Sequence, residues 1–328
     1  MRIAFFGTPF FAVPTLDRLL ASRHSIVGVV TQPDRPRDRG QHVTASPVKA
    51  AALAHGVPVL QPDRLKAPDV LGAFAAWSAD LGVVAAYGKI LPEELLRVPR
   101  LGLINVHASL LPRWRGAAPV ERAVIAGDTT TGVTIMRIVR QLDAGPTFAS
   151  VTRAIAPDET AEQVERDLAT LGADLLVEVV EQLADGRARE TPQDDTRATY
   201  APRLTKEEGL VDWSEPAVAI HNKVRGLHPW PHAFSFLHGA RHIILRTSTG
   251  PHEGAALPDS GATVAIDPTP GTVVAASGDQ LAVSTGGGGA IRIVEIQPEG
   301  RRAMDARRFL SGHRVEVGAR FESSARPQ

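Results

Sequence analysis

The chain has 328 residues, 43% of them hydrophobic and 22% charged, with 36 Lys or Arg against 36 Asp or Glu. That length holds two ordinary domains with sizeable cores, and that balance excludes wholesale disorder. A net charge of zero excludes a global field for nucleic acid and leaves only local patches, and the absence of cysteine excludes disulfides, thiolate nucleophiles and cysteine-ligated zinc.

The opening, MRIAFFGTPFFAVP, lacks the long apolar region and cleavage site of a signal peptide. It reads as a first strand, Arg2 to Phe6, ending at Gly7. No run approaches the roughly 18 apolar residues of a membrane helix, so a soluble cytoplasmic protein is expected. A helix from Val13 to Ala21 and a strand from Ile26 to Thr31 complete a βαβ opening of the doubly wound kind. One glycine stands where G-x-G-x-x-G would be needed, so no dinucleotide fingerprint is present.

Gln32 to Lys49 is an unusually long aperiodic loop. It carries Arg35, Arg37, Arg39 and Lys49 against Asp34 and Asp38. Two readings stand: a solvated surface loop, or a basic arm that grips a phosphate backbone. Ser46 caps and Pro47 opens a helix to His55. Val57 to Leu60 is a short strand. Pro62 to Trp77 reads as helical, split by Pro68. Asp80 to Tyr87 is a buried central strand.

Then comes LGLINVHASLLPRWRG, residues 101–116. Gly102 to Val106 is a buried strand, and Asn105 and His107, two apart, point to the same face. They leave the strand at its C-terminal end, where open parallel sheets bind ligands. A helix covers Ala117 to Ala126. Strands Thr131 to Val139 and Thr147 to Ile155 are antiparallel, and the turn between them, QLDAGP, holds Asp143. A long helix follows from Asp158, its expected cap, to Leu183. Singly, a strand-end Asn or His is as well explained by bonds to neighbouring backbone. Together the three suit chemistry. A carboxylate beside an imidazole fixes its tautomer and stabilises its protonated form. An asparagine offers N–H to an oxygen that gains negative charge. With no Ser or Cys nucleophile motif beside His107, the set suits direct transfer of an acyl group from donor to acceptor.

After Asp185 the composition turns polar and aperiodic, as in a linker. A helix, Ala217 to Gly226, precedes five short strands with a Gly-rich turn at Gly286 to Gly289, a pattern that suggests a small OB-like β-barrel. Met304 to Leu310 reads as a short helix. The expected division is 1–189, a linker 190–207, and 208–328. His228, His232, His238 and His242 imitate a metal site. Pro229 and Pro231 forbid the helix that such spacing needs, so no metal is expected. From Ala201 onward there are 14 Lys or Arg against 13 Asp or Glu. Arg301, Arg302, Arg307 and Arg308 form either an ordinary charged helix face or an RNA-facing patch.

NVHASLLPRWRGAAP, with GVTI and QLDAGP downstream, resembles the formyltransferases that use 10-formyltetrahydrofolate. FFGTPFFAVPTLDRL, TQPDRPRDRGQ, AAYGKILP, YAPRLTKEEGLVDW and HPWPHAF extend the resemblance, over about residues 1 to 315, to the branch that acts on methionyl-tRNA. It implies a Rossmann-like α/β formyltransferase domain followed by an OB-like domain that holds tRNA. It implies a catalytic trio of Asn105, His107 and Asp143, and folate contacts from Ser109, Leu110, Leu111 and Pro112. It implies that the long loop enters the acceptor end of initiator tRNA through Arg35, Arg37 and Arg39, with Lys206 a further tRNA contact and the enzyme a monomer. Gln41 and His42 depart from relatives that carry lysine there. The rivals are a relative of the same fold acting on a small amine or hydrolysing the folate, and a non-catalytic RNA-binding relative.

Overall fold

The computed structural model describes residues 1–37, 42–249 and 269–323, and of 35–37, 42 and 43 the backbone alone. The chain divides into two compact units. Met1–Val120, Thr130–Ala154 and Gln163–Arg203 form the first; Glu121–Thr129, Ile155–Glu162 and Leu204–Gln328 form the second.

From the N-terminus the elements are β1 (Arg2–Gly7), α1 (Val13–Leu20), β2 (Ser25–Val30), β3 (Arg35–Arg37), β4 (His42–Thr44), α2 (Pro47–Ala54), β5 (Val59–Leu60) and α3 (Pro68–Ala76). There follow β6 (Leu81–Ala85), α4 (Glu93–Leu96), β7 (Leu103–His107), β8 (Arg115–Gly116), α5 (Pro119–Ile125), β9 (Thr130–Arg137), β10 (Thr147–Ala154), α6 (Ala161–Ala184) and β11 (Tyr200–Ala201). The main sheet has the order β10-β9-β7-β6-β1-β2-β5. The five strands from β5 to β7 are parallel, and β9 and β10 are antiparallel additions. All of β6 is buried and all of β1 but Arg2, as strands covered on both faces must be. Phe6 is the centre of one core, 5.4 Å from the ring of Phe74 and 5.7 Å from that of Tyr87. Gly28 is required there: a Cβ on it would stand 2.3 Å from the Trp77 ring. The topology puts β7 where parallel pairing with β6 gives way to antiparallel pairing with β9.

Four local expectations resolve. Ser46 does cap α2, its Oγ accepting from the Lys49 amide at 3.1 Å. Pro68 opens α3 instead of splitting a longer helix, because its fixed φ suits the first helical position. α6 starts at Ala161, so Asp158 lies too early to cap it. The stretch Gln32 to Lys49 is not irregular throughout, since β3 and β4 pair as an antiparallel ribbon. Arg39 lies outside the described residues.

The ribbon is fastened at its root. Thr31 Oγ1 and Ser46 Oγ are 2.8 Å apart. Gln61 Nε2 donates to the Gln32 carbonyl at 2.9 Å and to Asp34 Oδ1 at 2.8 Å. Lys49 pairs with Asp34. The hydrogen bond from Lys49, followed by that from Gln61, holds the Asp34 carboxyl below its usual range. Lys49, one of the loop's four basic residues, is thus committed to the fold.

The polar stretch after Asp185 also has structure of its own. Thr191 exchanges backbone bonds with Thr147 at 2.8 and 2.9 Å. Asp194 Oδ1 accepts from the Thr196 amide at 3.0 Å, and β11 pairs in parallel with β8.

The second unit contains α7 (Ala217–Gly226), β12 (Ala233–Leu237), β13 (Ala240–Ser248), β14 (Val273–Ser277), β15 (Gln280–Ser284), β16 (Ala290–Pro298), β17 (Met304–Asp305), α8 (Ala306–Gly312) and β18 (Phe321–Glu322). Its strands follow the antiparallel path β14-β15-β16-β13-β12-β18. The two ends meet: Thr272 bridges Arg320, and the Phe321 amide donates to the Gly271 carbonyl at 2.8 Å. A sheet curled on itself in this way is OB-like, and it leaves little free edge. Trp213, Leu281, Ile293, Phe309 and Phe321 lie in its core. The Trp213 indole N–H finds Ser235 Oγ at 2.9 Å. Among the described residues, no helix is long and apolar enough to cross a membrane.

Candidate active site

β7 carries Asn105 and His107 on one face and ends at the imidazole, which is 5% exposed. His107 Nε2 lies 2.9 Å from the carbonyl oxygen of Trp114. A carbonyl only accepts, so the ring proton on that side belongs to Nε2. His107 Nδ1 faces Asp143 Oδ2 at 3.8 Å, beyond a direct hydrogen bond but within the range of charge pairing. Asp143 is fixed from another direction: the Gly116 amide donates to the same Oδ2 at 2.8 Å. Among the described residues, the Asn105 carboxamide has no hydrogen-bond partner. The structure therefore brings the trio together, with the imidazole oriented by Trp114 and the carboxylate oriented by Gly116.

The loop after β7 is tightly laced. Ser109 is fully buried, and its hydroxyl donates to the Arg113 carbonyl at 2.6 Å. Thr134, opposite His107 on β9, donates to the Ser109 carbonyl at 2.7 Å and accepts from the Leu111 amide at 3.2 Å. Leu110 packs over Gly132, where a Cβ would meet it at 2.5 Å. Leu111 and Pro112 remain half-exposed. Trp114 takes a left-handed φ of 63°, the Arg113 guanidinium lies 4.5 Å over its ring, and its amide donates to Thr199 Oγ1 at 2.9 Å. Trp114, Thr134, Thr199, Arg115 and Gln193 are structural partners that no spacing in the sequence singles out.

Beyond the C-terminal end of β6 a cleft of about 690 Å³ opens, lined by Leu65, Lys66, Ile90, Leu91, Leu96 and Arg140 among others. Arg140 belongs to the same β9–β10 connection as Asp143. Lys89 pins one wall by donating to the carbonyls of Pro62 and Asp63 at 2.9 and 3.1 Å. Burial pushes the Tyr87 phenol up to about 12, so it stays neutral. The cleft lining mixes apolar side chains with the cations Arg64, Lys66, Lys89 and Arg140 and the carboxylates Glu93 and Glu94, an apolar trough with polar groups of both signs. Lys206 lies in the second unit, exposed, at the start of a one-turn 3-10 helix. Arg35 and Arg37 lie on β3, where only the backbone is described. Among the described residues, no three His, Cys, Asp or Glu are placed to hold a metal ion.

Two family profiles match the chain: Formyl transferase over residues 1–180 and Formyl transferase, C-terminal domain, over residues 203–314. The chain is 45% identical over 317 residues to the methionyl-tRNA formyltransferase of Trichlorobacter lovleyi, covering 97% of this chain and 96% of that one. It is 46% identical over 313 residues to that of Methylococcus capsulatus, covering 95% and 97%. Among solved structures, the N-formyltransferase of Helicobacter canadensis in complex with folinic acid and dTDP-3-aminofucose superposes with a TM-score of 0.63 over 90% of this chain and 98% of that one. At 14% identity that likeness speaks for the fold alone. With both halves of its length matched and near-full-length identity above 40%, the chain belongs to the formyl transferase family, among the methionyl-tRNA formyltransferases.

Proposed function

We propose that this protein transfers a formyl group from 10-formyltetrahydrofolate to the α-amino group of methionine on initiator tRNA, the formylation that precedes translation initiation. The observation that carries the chemistry is the meeting of Asn105, His107 and Asp143 at the end of β7, together with a cleft whose lining residue Arg140 shares the β9–β10 connection with Asp143. The near-full-length relatives carry the choice of acceptor.

Bound in that cleft, the folate supplies a formyl carbon that passes to the amine nitrogen. Asn105 donates to the formyl oxygen as that oxygen gains charge. His107 has Nε2 spent on Trp114, so Nδ1 is the atom left for chemistry. A proton there donates to the same oxygen while the nearby Asp143 carboxylate balances its charge. Asp143 takes up the proton that the attacking amine releases, and that proton passes to N10 of the folate as the bond between the formyl carbon and N10 breaks. Leu111 and Pro112, half-exposed in the loop after β7, contact the folate. Ser109 and Leu110 support them from within, one bonded to Arg113 and the other packed on Gly132. Arg35, Arg37 and Arg39 approach the acceptor end of the tRNA, and Lys206 adds a contact from the second unit. The functional division runs as 1–189 for formyl transfer, 190–207 as the connection, and 208–328 for tRNA. The enzyme acts as a cytoplasmic monomer.

Mixing the protein with methionyl-initiator tRNA and 10-formyltetrahydrofolate should yield formyl-methionyl-tRNA. Release of free formate, transfer only to small amines, or RNA binding without product would each overturn the reading.

A further inference from the structure

Asp143 holds a left-handed φ of 47°, which a residue with a side chain adopts only when its surroundings enforce it. The enforcing group is fifty residues downstream. Gln193 Nε2 donates to the carbonyl of Asp143 at 2.8 Å and to that of Gly145 at 2.7 Å, spanning the turn. The amide could do this only with its nitrogen toward the turn, and Arg115 decides that. The Arg115 Nε and Nη2 both donate to Gln193 Oε1, at 3.1 and 2.8 Å. Arg115 is 1% exposed, and Nη2 also reaches Asp195 Oδ1 at 2.7 Å. Its own backbone is set by the β8–β11 ladder, where its amide donates to the Thr199 carbonyl at 2.9 Å. The next residue, Gly116, supplies the amide that holds the Asp143 carboxylate. Residues 115 and 116 thus grip Asp143 twice, by its carboxylate directly and by its carbonyl through Gln193.

We propose that Gln193, with its amide oriented by Arg115, is a positioning residue for formyl transfer: it brackets the turn at Asp143 and so sets where that carboxylate stands relative to His107. The inference rests on the reading given under Proposed function. Nothing about the bracket touches substrate. Its part is to keep a 3.8 Å relationship from drifting, and a misplacement of about 1 Å is enough to cost on the order of 100-fold in rate.

Gln193→Glu tests it, because it keeps the size and the Arg115 partner but turns two donors into acceptors facing carbonyl oxygens. At pH 8 the expected result is a kcat lowered at least about tenfold, with KM for methionyl-tRNA and for the folate nearly unchanged. Lowering the pH should restore part of kcat, since a protonated carboxyl regains one donor. Gln193→Ala should lose a similar factor with no such recovery. In both variants the Gly116 amide should exchange its hydrogen faster than in the parent. That last measurement needs no turnover, so it stands whether or not the parent formylates tRNA, whereas a parent without formyl transfer sinks the functional reading itself. A kcat equal to the parent's, a KM that rises in step with the lost rate, or unchanged exchange at Gly116 would each overturn the bracket. Should Gln193→Glu fail to fold, Gln193→Met carries the same kinetic and exchange comparison.

Discussion

His107 Nε2 donates to the carbonyl of Trp114 at 2.9 Å, across the loop that β7 itself launches. The ring is therefore held by backbone seven residues on, and not by the carboxylate it faces. That leaves Nδ1, which faces Asp143, as the atom the proposed transfer uses. Replacing His107 with alanine should cost on the order of 10²–10³-fold in kcat, the usual loss for an oxyanion donor, as should Asn105→Ala. Single-turnover assays should show this with the affinity for methionyl-tRNA preserved. A matching loss of tRNA affinity would mean that either residue serves binding.

Gly145→Ala should damage the site without touching a reacting group. A Cβ there would stand 1.9 Å from the Arg137 carbonyl, so the backbone beside Asp143 has to move. We expect a destabilisation of about 1–3 kcal/mol, as for overpacked interiors, read by denaturant unfolding, together with a fall in kcat.

The arginines of the ribbon segment should act on RNA alone. Arg39→Ala should raise KM for methionyl-tRNA and leave that for the folate unchanged. The salt dependence of tRNA binding should flatten by about 0.7–0.9 in log–log slope, the share of one lost phosphate contact. An unaltered slope would show that Arg39 touches no phosphate.

The ribbon's root should matter to the same substrate by a different route. Lys49→Met removes the cationic partner of Asp34 without adding bulk. KM for tRNA should rise severalfold while formyl transfer at saturation persists. Because Asp34 is held below its usual range, the tie is complete above pH 3.8, the ordinary aspartate value, and is lost only as pH falls through the lowered one.

Stability of the second unit should weaken in mild acid. Burial holds the His242 imidazole, edge-on to Phe309 and Phe321, below its ordinary 6.5. As pH drops below 6.5 the unfolded chain takes up a proton that the folded chain refuses, so stability falls until the lowered value is passed. His242→Gln should flatten the fall in Tm between pH 8 and 5. Some slope should remain from His232 of the same unit, which burial also holds low. An unchanged slope would remove His242 from the account.

Much of the fold was readable from local chemistry. The period-two spacing of Asn105 and His107 placed them on one face, and the Ser46-Pro47 pair marked the start of α2. The limits expected for α7 match the structure. What stayed hidden works through backbone atoms or over long separations. Trp114 contributes a carbonyl, which leaves no mark on residue type. Gln193 and Arg115 meet across 78 residues, inside a stretch whose polarity reads as linker. Pro68 illustrates a third cause: the same residue can split a helix or begin one, and only packing chooses.

The fastening of the ribbon has a consequence for how such an enzyme can change its client. The ties at its root come from Thr31, Gln32, Asp34, Ser46, Lys49 and Gln61, on the flank of the main sheet. A foreign sequence grafted in place of residues 35–43 is therefore expected to change KM for the acceptor while formyl transfer at saturation persists, which would let acceptor preference and chemistry evolve at separate speeds.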